Sequence, residues 1–532
     1  MVGQFSPKFM PSLSEPAIVP YTHTLTNPQR TNQVGVMTYV LCVIVLLGCA
    51  SYFYQASYNP PGYYLDESSI SYNAYKISTS GQDEYGESWP LYFRAFGEYK
   101  NPLYIYLLAV LFRIFGPSIL VARLLSVTVG VAAIAVLFLL TFQISRRLLI
   151  ATTVAFSAVF TPWLFENSRL VFEVALYPLL VCLFLLALFR ASQKEAWGWL
   201  EAVPLAMTLA LLTYSYSIGR LLAPLFAAGL IFFVTGKRLR GVMMTWLVFA
   251  LTLVPALIFH LGHPGTLMSR FWLLTYISPD RSVGQIALEF LRHYFANINP
   301  WTIAVTGEMN VRDHVGTMGS VLAPSLLLSA LGIVIVLIYL RHEPWWRFML
   351  YALLVSMIPA SLTTTEFPQI RLIAMPIILH VFMIPGLLWL TEPIESRLVF
   401  LRHALFVIIL VTVLVQGLIF RFQFKQAGPE RWYIFDEQFT REVLPTALAP
   451  NKRPIYFYDP PGKSGYVQAY WHGMLQGLPA AEFVRVSPER QPQAGDVVIS
   501  TAEECSNCKL LLKSINYIVY IAGAPNRTEE QK

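Results

Sequence analysis

Apolar runs of roughly bilayer-crossing length alternate with short polar segments along most of this chain. That alternation predicts a bundle of membrane-spanning helices, because about 20 apolar residues in a helix cross a hydrocarbon core. The runs fall near 37–54, 119–142, 148–162, 172–190, 199–216, 220–235, 242–261, 321–340, 346–360, 369–391 and 400–421, eleven in all. A further apolar segment, PLYIYLLAVLFRIFG, has only about 14 residues and carries Arg113 near its end, which suits a helix lying at the interface.

The polar segments set the expected organisation. Residues 1–36 read as a cytoplasmic tail, with the first run serving as its own export signal, and 37–421 as the membrane domain. Within it, 55–118 forms one large external loop and 262–320 a second loop-rich region. From 422 to 532 the composition changes, and RPIYFYDP, GDVVIST and YIVYIAG read as short strands between Pro/Gly turns. An external soluble α/β domain is expected there.

Charge supplies the orientation. With the N-terminus in the cytoplasm, basic pairs at Arg146–Arg147, Arg190–Lys194, Lys237–Arg240, Arg341–Arg347 and Arg397–Arg402 all fall on the inner side. Of the 532 residues, 55% are hydrophobic and 13% charged, with a mean hydropathy of +0.53. That places the chain among multi-pass proteins of the cytoplasmic membrane. The net charge of +7 is spread between apolar runs, which argues against a nucleic-acid partner. Cys42, Cys49 and Cys182 lie within apolar runs and read as inert hydrophobes. Cys505 and Cys508 form CSNC, which fits a local disulfide, a redox pair or half a metal site.

The remaining charges are the informative ones. Asp66, Glu67, Asp83, Glu84, Lys100, Glu166, Arg169, Glu173, Arg220 and Arg371 all fall on the outer side in this topology. A structural role competes for each: Asp66 fits a helix N-cap, with Glu67 favoured by the positive helix end. As a set they fit chemistry at the membrane surface. A carboxylate there can take a proton from a hydroxyl, and Arg and Lys can hold the phosphate of a lipid-linked leaving group.

The ordered series LDES, GQDEYG, YKNPLY, ARLLS and PWLFENSRLVFEVALYP, followed by GTMGSVLAPSLLLSALG and FPQIRLIAMPIILH, resembles bacterial membrane glycosyltransferases of the GT-C superfamily. The likeness is to the dolichyl-phosphate-mannose–protein mannosyltransferase-like group that includes lipid A aminoarabinose transferases. It covers roughly 37–391 and is absent from 422–532. It implies a GT-C type membrane domain of about eleven transmembrane helices plus juxtamembrane helices. It also implies transfer of a hexose or pentose from a polyprenyl-phosphate donor to a lipid, glycan or protein, with inversion. Asp66 matches the first-loop acid that the family uses as its catalytic general base or essential acid, with Glu67 following in the motif and Glu173 matching a second acid. Lys100, Arg169 and Arg371 match cations of the donor phosphate site. Relatives often read K-P-P-L where Asn101 stands here after Lys100. Some relatives bind a divalent cation, although the nine histidines here show no metal-ligand spacing. The competing function is a transporter or lipid flippase with a carboxylate ion relay. Such proteins place their acids at the midplane and often show repeated halves; a noncatalytic scaffold leaves the one-sided charge set unexplained.

Overall fold

A computed structural model describes residues 28–316, 318–392, 398–502 and 508–523. Most of the expected N-terminal tail, Arg397 and Cys505 lie outside the described residues. The chain is a helical membrane bundle capped by a small sheet domain. Among the described residues, six helices are long and apolar enough to cross a membrane: Gly35–Phe53, Ile119–Ser145, Glu173–Ser192, Leu239–Gly262, Ala323–Leu340 and Phe400–Ala427. Five shorter apolar helices accompany them.

Helix α1 (Pro28–Phe53) leads into α2 (Leu65–Ser80), and a hairpin of β1 (Phe93–Ala95) and β2 (Glu98–Lys100) leads into α3 (Pro102–Phe115). Then come α4 (Ile119–Ser145), α5 (Leu148–Phe160) and the short α6 (Pro162–Asn167). Residues Ile150–Phe160 of α5 are buried all round, as expected of a central bundle helix. It packs against α1, α4 and the helices Met375–Thr391 and Leu398–Ala427. The helices Ala323–Ile335 and Met375–Thr391 approach so closely that a Cβ on Gly332 would lie 1.6 Å from the Phe382 carbonyl oxygen.

Proline explains several interruptions of the expected runs. The run at 346–360 divides into Pro344–Ser356 and Ile358–Ser361, where Pro359 has no N–H to continue the ladder. The run at 369–391 becomes helical only at Met375, which leaves Arg371 in an irregular turn. Pro102 opens α3 at its first turn, where a missing N–H costs nothing.

The C-terminal domain holds β3 (Ile455–Tyr458), β4 (Phe483–Arg485), β5 (Val497–Ser500), β6 (Cys508–Lys513) and β7 (Ile518–Ala522) in the order β4-β3-β5-β7-β6. β3 runs parallel to β4 and β5, while β7 runs antiparallel to β5 and β6. Its helix Tyr466–Leu475 packs on α2. There Gln468 accepts from Ser68 Oγ at 2.6 Å and donates to the Tyr63 carbonyl at 2.7 Å. The domain is therefore tied to the start of α2, the element that carries Asp66 and Glu67.

Candidate active site

Consecutive helical residues point about 100° apart, and the first turn of α2 uses that angle to separate its two acids. The cap is Tyr64, with extended backbone, rather than Asp66. Glu67 turns inward and is fully buried with Arg123. One of its oxygens accepts from Tyr64 N–H at 2.8 Å and Arg123 Nη2 at 3.1 Å. The other accepts from Val171 N–H at 3.0 Å and Arg123 Nε at 3.4 Å. Arg123 spends its remaining donors on the carbonyls of Pro60, at 2.5 Å, and Gly62, at 3.0 Å. Glu67 thus does not reach the cavity where chemistry was expected of it; it joins α2, α4 and the 168–172 turn in the core. Arg123 lies within the ARLLS motif, but a lone arginine inside an apolar run gave no indication of its partner.

Asp66 turns the other way, into a cavity of about 720 Å³. Its carboxylate meets Lys100, which the β1–β2 hairpin delivers opposite Phe93 at the foot of α3. Burial opposes the ionised carboxylate, but Lys100, with Arg312 and Arg270, outweighs it and holds the Asp66 carboxyl below its usual range. Burial likewise opposes the Lys100 ammonium, and Asp66 and Glu173 raise it above its ordinary value. The two are charged together.

Asn101, the residue that departs from K-P-P-L, is a joint in this wall. Its N–H donates to Glu173 Oε1 and its side-chain oxygen accepts from Arg220 Nη2 at 2.8 Å. Proline there would supply neither contact. Glu98, Tyr216 and Arg312 line the same chamber. Arg312 is held by Asp313 at 2.7 Å and lies over the rings of Tyr64 and Phe172.

The polar chamber adjoins an apolar lobe of about 1140 Å³, lined by Leu221, Phe271, Leu274, Pro359 and Leu362. Arg220 and Arg270 line both lobes. Arg371 lies in the apolar lobe, where Nη1 donates to Thr363 Oγ1 at 2.9 Å. The arrangement offers a carboxylate–ammonium pair in a polar compartment, arginines at its boundary and an apolar groove beyond them.

Of the residues named from sequence, Asp66, Lys100 and Glu173 come together, Arg371 stands in the adjoining lobe, and Glu67 is sealed away. Arg169 lies elsewhere: it lines a different cavity, and its Nη2 donates to the Tyr54 carbonyl at 2.8 Å. Glu166 is also structural in its contacts. It accepts from His314 at 2.7 Å and from Val315 N–H at 2.8 Å, pinning these two residues onto α6. Burial disfavours the His314 cation, but Glu166 raises its pKa above the ordinary value.

Asp83 builds the turn after α2. One of its oxygens accepts from the N–H groups of Tyr85 and Glu87, both at 2.8 Å. Gly81 caps α2 at φ +69, where a Cβ would also meet the Trp89 ring at 2.9 Å. The chamber residues that sequence reasoning missed are Glu98, Arg270 and Arg312. Both arginines fall in the loop-rich 262–320 region, Arg312 in a turn and Arg270 in a six-residue helix, where the local sequence has no sustained period to orient them.

Among the described residues, no three His, Cys, Asp or Glu side chains gather as a metal site. The chamber does not fit a cation at Asp66, because the Lys100 ammonium already occupies that position.

No protein-family model and no curated protein matches the sequence. Solved structures do. ArnT from Cupriavidus metallidurans bound to undecaprenyl phosphate superposes with a TM-score of 0.54 at 12% identity, over 93% of this chain and 100% of that one. The archaeal oligosaccharyltransferase AglB from Archaeoglobus fulgidus, in complex with an inhibitory peptide and a dolichol-phosphate, gives 0.50 at 15% identity, over 89% and 70%. Both are GT-C structures, and the fold of this chain is the GT-C fold.

Proposed function

We propose that this GT-C chain is a membrane glycosyltransferase that moves a sugar from a polyprenyl-phosphate donor to a hydroxyl of a lipid, glycan or protein acceptor. The observation that carries the reading is the two-lobed cavity. Its polar lobe holds Asp66 with Lys100, its apolar lobe suits an isoprenoid tail, and Arg220 and Arg270 stand at the boundary where a linking phosphate lies. The two neighbours carrying polyprenyl phosphates, undecaprenyl and dolichol, support the same donor class.

Asp66 takes the proton of the acceptor hydroxyl as its oxygen attacks the anomeric carbon. The bond from that carbon to the phosphate oxygen breaks, the electron pair leaves with the lipid phosphate, and the configuration inverts. Arg220, Arg270 and Arg371 neutralise the developing phosphate charge. Lys100 links the two events. While it pairs with Asp66 it makes that carboxylate a weak base, and a bound phosphate competes for its ammonium and restores the basicity. Glu173 fixes the Lys100–Asn101 corner and offers a hydrogen-bond acceptor to a sugar hydroxyl. The reaction takes place on the external face of the cytoplasmic membrane, with the C-terminal domain over the acceptor side.

Mass spectrometry of glycolipids, envelope glycans and exported proteins tests this in a strain lacking the gene. A hexose or pentose missing from one fraction and restored by the wild-type chain is the expected result. Unchanged fractions with an altered lipid or ion distribution across the membrane would replace the enzyme by a transporter.

A further inference from the structure

Arg169, excluded from the Asp66 chamber, belongs to a second cationic cluster. Its guanidinium lies 4.8 Å from the Phe165 ring and that of Arg421 lies 3.3 Å from the same ring. Arg431 reaches the neighbouring Phe424 ring at 5.2 Å. Each arginine commits one terminal nitrogen to backbone carbonyls: Arg169 to Tyr54, Arg421 to Val159 at 2.9 Å, and Arg431 to Val311 at 3.3 Å. The rest is idle. Nε and Nη1 of Arg169 and Arg421, and Nε and Nη2 of Arg431, are enclosed without a hydrogen-bond partner. Arg169 is only 4% exposed.

A buried cation with unused donors is costly unless something else neutralises it, and ring faces compensate only in part. Among the described residues no carboxylate lines this cavity, which Arg169 and Arg421 share with Lys425. Glu166, whose field reaches Arg421 and Arg431, is already engaged by His314 and Val315. The site has positive charge and donor capacity but no anion of its own.

We propose that this cavity binds the phosphate group of a membrane lipid, at a site separate from the donor lobes. The two cavities share no lining residue. Guanidinium forks match phosphate oxygens in pairs, and Lys425 adds a point charge. Free phosphate has the same chemistry, and the location favours the lipid. The walls come from the ends of two membrane helices, α1 and Leu398–Ala427, and exposed Tyr54 and Phe422 stand beside the cations, where acyl chains run. The inference does not depend on the transfer reaction proposed above.

The test uses the full-length protein in neutral detergent with a photoreactive phosphatidic acid, mapping labelled peptides by mass spectrometry. Label is expected on residues 51–59 and 421–425. It should fall about tenfold in Arg169→Gln and Arg421→Gln and about threefold in Lys425→Gln, an exposed position where misfolding is not at issue. Label elsewhere on the chain should be unchanged. Equal labelling of this segment in all three variants, or by a photoreactive diacylglycerol without phosphate, would overturn the site. Displacement of the label by an equal concentration of inorganic phosphate would overturn its assignment to a lipid.

Discussion

Two carboxylate–cation pairs lie side by side at the start of α2, one in the chamber wall and one in the core beneath it. Asp66 pairs with Lys100 while keeping 27% of its side chain exposed to the cavity. Glu67 pairs with Arg123, both are fully buried, and backbone groups take their remaining hydrogen-bonding capacity. The residues are neighbours and chemically alike; the difference lies in what is left over. A pair with an open side and a flexible, point-charge lysine can exchange partners with a substrate. A pair closed by a forked arginine and three chain segments can only hold those segments together.

The largest effect should come from breaking the closed pair. Glu67→Gln or Arg123→Gln leaves an uncompensated buried charge and should cost about 3–5 kcal/mol, seen as a lower unfolding temperature or lost folded yield. A near-normal unfolding temperature would erase the distinction between the pairs. Lys100→Gln opens the other pair. Transfer should fall roughly 10²-fold, through loss of charge stabilisation at the leaving phosphate. Its pH profile should also change in a specified direction. Lys100 holds the Asp66 carboxyl below its usual range, so without it the acidic limb should move to higher pH. An unmoved limb would show that the group titrating there is not Asp66.

Smaller effects sharpen the picture at the chamber's edge. Asn101→Pro restores the K-P-P pattern of relatives but removes the N–H on Glu173 and the acceptor for Arg220. Transfer is expected to drop about tenfold or more, the scale of two lost positioning hydrogen bonds. Equal activity would make Asn101 a neutral departure. Glu84 gives the smallest effect and a contrast to both pairs, since neither of its enclosed carboxylate oxygens has a partner. Burial pushes its pKa up to about 7. The fold therefore favours its protonated form, and that contribution is present below about pH 4.5 and lost as pH rises to about 7. Glu84→Gln should flatten the unfolding temperature across that window; an unchanged slope assigns it to another group.

Much of the fold was legible because membrane helices declare themselves by length and apolarity. The first-loop acid and YKNPLY also stood out, since charges are scarce in this chain and both lie beside apolar runs. Sequence reasoning failed at partnerships across distance. Nothing local distinguishes Glu67, which meets Arg123 from 56 residues away, from Asp66, whose partner stands 34 away. Arg169 and Lys100 look equally eligible for a phosphate until the fold sends them to different cavities. Arg312 lies in irregular chain and Arg270 in the six-residue helix Ser269–Leu274, too short for a period to tell which way a side chain faces.

The decisive measurement is sugar transfer and unfolding temperature together for Asp66→Asn, in membranes of the complemented deletion strain and on the purified protein. Loss of a general base should lower transfer 10²–10⁴-fold, on the order of general acid–base catalysis. The unfolding temperature should fall much less than in Glu67→Gln, because Glu173 and Glu98 remain to neutralise Lys100. Near-normal transfer, or a fall in unfolding temperature as large as that of Glu67→Gln, would contradict the account.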